Sequence, residues 1–129
     1  MGRREEALAS YERSISEDPR VIWYYTNQID VLLDMGRKHD AMTIADRAAS
    51  MMPRSAVAWA RKGQVQRRLS NYEGALESYL KALEIDPNLA EAHASLGQIL
   101  LNYDYDFKGA ERELKKAIEL DPKYPSAYQ

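Results

Sequence analysis

The chain has 129 residues, 45% of them hydrophobic, no cysteine, and a formal net charge of −2. That length suits one domain with a buried core; the missing cysteines exclude disulfides and thiolate metal sites, and the charge gives no overall pull toward nucleic acid. No apolar run approaches the roughly 18 residues of a membrane span and no signal peptide opens the chain, so the expected setting is cytoplasmic, with neither membrane nor nucleic acid as partner.

The first helical pattern runs from the start to Pro19. Within it Ala7, Tyr11 and Ser14 stand twelve, eight and five residues before the proline, and steps of four and three place them on one helical face. The same phrase returns as Ala41, Ala45 and Ala48 before Pro53, as Ala75, Tyr79 and Ala82 before Pro87, and as Ala110, Leu114 and Ala117 before Pro122. The first three prolines are 34 residues apart and the fourth follows after 35. Such a period means one supersecondary unit stacked on copies of itself.

Each proline is followed by a second kind of helix with its own seam. Its inward residues are Tyr25, Gln28, Ile29 and Leu32; then Trp59, Lys62, Gly63 and Gln66; then His93, Leu96, Gly97 and Leu100. Gly36 and Ser70-Asn71 break the two halves apart, and the proline ends each second helix by pushing the preceding residue out of the α region. The expectation is an all-α solenoid of antiparallel helical hairpins, about seven helices in a single domain. Its complete units are 20–53, 54–87 and 88–122; 1–19 is the second helix of a truncated unit and 123–129 begins another. Lys62 and Gln66 replace apolar seam residues, so Trp59, Val65 and Leu69 are expected to hold that helix, with the Lys62 methylenes laid over the core. Ile29 stands where two other units carry glycine, offset by the small Ala45.

These residues resemble the tetratricopeptide repeat. Trp59, Gly63, Ala75, Tyr79, Ala82 and Pro87 carry the family pattern, and His93, Leu96, Gly97, Leu100, Ala110, Leu114, Ala117 and Pro122 carry it more loosely. The resemblance covers almost the whole chain and implies a superhelix whose concave groove binds a peptide or partner segment. If the seam residues pack inward, the groove lining is Trp23, Thr26, Asn27, Asp30 and Asp34 from the first complete unit. The next gives Val57, Ala60, Arg61, Gln64 and Arg68; the third gives Glu91, Ala94, Ser95, Gln98 and Asn102. Arginine's planar fork there suits a carboxylate or phosphate. Family members that grip acidic chaperone tails need a set of lysines, asparagines and an arginine that Thr26, Asp30, Arg61, Glu91 and Ser95 do not supply. Taken one unit earlier, Asn27 and Arg61 fit and Val57 fails. A partial anion site around Asn27 and Arg61 is what remains. The basic run Arg54, Arg61, Lys62, Arg67 and Arg68 lies in a stretch without acids and reads first as a solvated helix face.

Other features point away from catalysis. His39 falls in a turn and His93 at a packing position; neither has a cysteine, a paired histidine or a glycine-rich loop nearby. Asn102, Asp104, Asp106 and Glu113 match four offsets of a calcium loop, but Phe107 stands where the glycine must be, so a longer turn capped by Asp106 is expected instead. No metal, cofactor or enzymatic activity is expected. The function implied is a protein-interaction scaffold. Its alternatives are a self-assembling structural module, or a regulatory arm of a larger enzyme or bacterial signalling protein. Ala7, Leu8, Tyr11 and Ile15 are expected to lie partly exposed, which would favour a homo-oligomer through the terminal helices.

Overall fold

A computed structural model describes residues 2–102 and 107–120. Those residues form seven helices: α1 (Arg3–Glu17), α2 (Ile22–Asp34), α3 (Lys38–Met51), α4 (Ala56–Arg68), α5 (Tyr72–Ile85), α6 (Ala90–Asn102) and α7 (Phe107–Leu120). The pairs α2–α3, α4–α5 and α6–α7 are the hairpins that the 34-residue period predicts. No described helix is long and apolar enough to cross a membrane.

Two turns inside the hairpins use the same hydrogen bonds with different residues. At the end of α2, Arg37 N–H donates to Leu32 O at 2.8 Å and Gly36 N–H to Leu33 O at 3.0 Å, with Gly36 at φ +75°. At the end of α4, Asn71 N–H donates to Gln66 O at 2.8 Å and Ser70 N–H to Arg67 O at 2.9 Å, with Ser70 at φ +63°. Both satisfy the last carbonyls through a left-handed residue. Asn71 then starts α5, its side chain accepting from Gly74 N–H as an N-cap does.

The turns between hairpins are pinned from a distance. Tyr25 OH donates to the Pro19 carbonyl at 2.6 Å, Trp59 Nε1 to that of Pro53 at 2.9 Å, and His93 Nε2 to that of Pro87 at 2.7 Å. Each donor lies six residues after its proline. Three different rings thus fill a packing position and also tie down the carbonyl at the joint. A carbonyl only accepts, so His93 carries a hydrogen on Nε2; its Nδ1 faces Glu113 Oε2 on α7.

Small residues set the helix spacing. Ala41, Ala45, Ala48, Ala75 and Ala82 are completely buried, as are Tyr25, Ile29 and Val65. A Cβ on Gly63 would stand 3.0 Å from the buried Tyr79 ring, so α4 approaches α5 by lacking one. Gln66 is buried and accepts from the Ser78 hydroxyl, which makes a polar residue tolerable in the seam. Lys62 reaches back to Asp46 at 3.3 Å and lies over the Trp59 ring at 5.2 Å. Glu12 joins α1 to its neighbours. Gln28 donates to it at 3.0 Å and Arg47 pairs with it at 2.9 Å. The Gln28 hydrogen bond foremost, with Arg47 adding to it against the opposing effect of burial, holds the Glu12 carboxyl below its ordinary range.

Some expectations change here. Ile15 is 3% exposed, because it sits in one cluster with Tyr25 and Ile29 of α2; Ala7, Leu8 and Tyr11 are half-buried as expected. Tyr25 and Tyr79 are fully buried, while Tyr72 lies exposed at the start of α5. His39 lies in the first turn of α3. The calcium-like loop, Asp106 as a cap, and the packing of Ala110 and Leu114 lie outside the described residues and side chains.

The order of contacts gives the array its curvature. α2 touches α4 and α4 touches α6, whereas no Cα of α3 lies within 8 Å of α5, nor any of α5 within 8 Å of α7, among the described residues. A stack closer along one flank bends toward that flank. The first helices therefore line the hollow side.

Ser70 is a non-glycine residue in a conformation that costs about 1–2 kcal/mol. Set against glycine's larger unfolded-state entropy, Ser70→Gly is expected to raise stability by about 0.5–1 kcal/mol, read as a higher urea midpoint at unchanged slope.

A candidate peptide-binding groove

The residues on the hollow side sort by height along the helices. Near the N-terminal ends of α2 and α4, Ile22, Trp23, Thr26, Val57 and Arg61 surround a cavity of about 220 Å³. Trp23 is 69% exposed, the most exposed large hydrophobic side chain described. Its orientation follows from helical spacing: Tyr25 and Ile29 take the core face, which turns residue 23 outward. Thr26 is buried, and its hydroxyl donates to the Trp23 carbonyl at 3.3 Å, so it offers a methyl wall rather than a free hydroxyl.

Arg61 closes the cavity from α4. Its Nη1 pairs with Glu91 Oε1 at 2.8 Å and meets Gln64 Oε1 at 3.3 Å. Both charged side chains are 25% exposed, and Arg61 Nε is buried with no partner. Glu91 lies in the first turn of α6, where the helix dipole favours an acid. The guanidinium expected to await an anion is therefore already matched by a carboxylate of the chain itself.

The remaining predicted residues spread out around this pair. Asn27 is half-buried on α2 and is not among the cavity's walls; Asp30, Asp34 and Arg68 are exposed toward the C-terminal ends of α2 and α4. Ser95 is buried between helices. Gln98 lines a second small cavity with Arg67, Tyr72, Ile99 and Asn102. The basic run does not act as one surface: Arg61 turns to Glu91, Lys62 to Asp46, and Arg54 lies exposed before α4.

Sequence reasoning missed Ile22 as a cavity wall and missed the Arg61–Glu91 pair. The signal for the pair was present, since residues 61 and 91 differ by one period less four, close to adjacent places on neighbouring first helices. A third cavity, of about 620 Å³, opens on the opposite flank between α1 and α3, with Ile15, Pro19, Tyr25, Arg47 and Met51 among its walls.

A TPR-repeat family model matches residues 63–102. The crystal structure of MamA superposes with a TM-score of 0.79 at 20% identity, covering 98% of this chain and 73% of that one. YrrB, described as a TPR protein with an unusual peptide-binding site, gives 0.77 at 21% identity, covering 97% and 64%. The fold is that of a tetratricopeptide repeat protein. Among relatives in sequence, a Plasmodium falciparum Hsp70-Hsp90 organising protein is 26% identical over 125 residues, 97% of this chain and 50% of that protein. RNA polymerase II-associated protein 3 of Xenopus tropicalis is 30% identical over 118 residues, 92% of this chain and 18% of that protein. The chain thus spans half or less of these relatives.

The Arg61–Glu91 pair bridges two repeats where water is partly excluded. A double-mutant cycle with Arg61→Ala and Glu91→Ala is expected to give a coupling of about 1–2 kcal/mol, above the 0.2–1 of fully exposed pairs. It should largely survive 0.5 M salt (roughly a 4 Å Debye length), because the pair is mostly desolvated.

Proposed function

We propose that this chain is a protein-interaction scaffold that binds a peptide or partner segment along the hollow side formed by α2, α4 and α6. In this reading the repeats are 20–53, 54–87 and 88–122, each lending its first helix. The observation that carries it is Trp23, an indole left in water beside a cavity whose other walls are Ile22, Thr26, Val57 and Arg61. Exposed aromatic side chains at a concave site are the usual anchors of binding. The description of YrrB as peptide-binding supports the same reading. A ligand carboxylate reaching Asn27 and Arg61, the finer form expected from the sequence, would have to displace Glu91 from its pair, and it is not part of this proposal.

The test is a partner captured in a defined binding assay and then titrated against Trp23→Ala. Loss of the indole is expected to weaken binding at least tenfold, the equivalent of about 1.4 kcal/mol, while the urea midpoint stays unchanged because the side chain supports no core. Unchanged affinity would place the ligand elsewhere.

A second reading rests on α1. Ala7, Tyr11 and Ser14 are half-buried, yet their counterparts Ala41, Ala45 and Ala48, and Ala75, Tyr79 and Ala82, are at most 1% exposed. The face that α3 and α5 seat against a first helix has no such cover on α1 among the described residues, and self-association through it is the reading this favours. Light scattering at high concentration is expected to show a dimer that Tyr11→Glu converts to monomer; a monomer throughout removes this reading.

A further inference from the structure

The chemistry of the ligand follows from how charge is distributed around the Trp23 cavity, on the condition that the groove reading above holds. Three observations bear on it.

The positive charge facing the cavity is already compensated. Arg61 is engaged by Glu91 and Gln64, and the pair is three-quarters withdrawn from solvent. An acidic ligand that took Arg61 would leave the Glu91 carboxylate in that same half-dry place without its cation, which is unfavourable. The Arg61 stem and the Val57 side chain remain as apolar walls opposite Trp23.

The negative charge on the same face is not compensated. Asp30 and Asp34 are exposed on α2, and no described group pairs with either. They point the same way as Trp23, since steps of seven and eleven return to one helical face. Arg68, at the equivalent place on α4, forms no ion pair with Asp34.

Asp34 is also poorly placed for the fold itself. Asp34 is the last residue of α2, which carries no basic residue in its last turn, and a negative charge there opposes the helix dipole. An incoming cation would relieve what the chain leaves unrelieved.

We propose that the groove takes an extended peptide by one large apolar side chain seated between Trp23 and Val57, with a lysine or arginine about three residues away meeting Asp30 and Asp34. The spacing comes from geometry. Seven helical residues separate Trp23 from Asp30, a rise of about 10 Å, and an extended strand covers that in about three residues. A cavity of about 220 Å³ holds one side chain and not a helix face. The ligand is thus apolar and cationic, the opposite of an acidic tail.

The experiment pans a phage-displayed random decapeptide library against the whole chain, with Trp23→Ala protein as the subtractive control. Enriched sequences are synthesised with a fluorescent label and titrated by anisotropy. The expected consensus is a large apolar residue with lysine or arginine two to four positions away. Exchanging that base for glutamate should weaken binding about five- to tenfold. The double variant Asp30→Asn, Asp34→Asn should erase this preference yet keep the requirement for the apolar residue; both positions are exposed, and a melting curve checks that the fold is intact. Acid-rich binders that need Arg61, or apolar binders indifferent to charge, would overturn the proposal while leaving the groove reading standing. No peptide enriched over the Trp23→Ala control would overturn both.

Discussion

Close approach between helices is the constraint on which the rest depends. Two of the hairpins are held by alanines that offer almost no volume, Ala41, Ala45 and Ala48 in one and Ala75 and Ala82 in the next. Gly63 removes even a methyl so that the Tyr79 ring can lie against α4. Interiors are packed to crystal density, so a larger residue in this seam forces the two helices apart. That shift would pass to the next hairpin, because α3 also packs against α4 and α5 against α6. The position of Trp23 relative to Val57, and of Arg61 relative to Glu91, is inherited from this spacing.

The joints between hairpins solve a different problem. A proline follows α1, α3 and α5 and leaves its carbonyl without an intrahelical donor. The chain returns six residues later with a ring that is apolar on its faces and can donate at its edge. Tyrosine, tryptophan and histidine all meet that description, and all three occur. The last differs in having a second ring nitrogen, which it turns to Glu113, so that joint also connects α6 to α7. A polar seam is tolerated by the same logic at Gln66, where the Ser78 hydroxyl answers the amide.

The fold was legible because it depends on residues that repeat. The alanines, the prolines and the two breakers sit at fixed intervals, and local spacing alone assigns them to faces. What sequence reading lost lies between units. Ile15 looked open because its cover comes from Tyr25 and Ile29 in the following helix. Arg61 looked available because its partner is thirty residues away, at the start of α6. Thr26 and Ser95 were rightly placed on first helices, but their small side chains sit below the surface that neighbouring helices define. A single unit's pattern gives direction, whereas exposure and charge balance are properties of the stack.

The asymmetry of the stack sets how it can deform. Its first helices abut along the hollow flank, and its second helices stand apart along the outer one. Atoms already touching resist compression far more than separated ones resist drifting together. Such a spine yields by straightening or by closing its outer gaps, and it cannot pinch its inner surface tighter. The width offered to a guest is therefore a floor that the chain itself fixes, and any adjustment on contact runs toward opening.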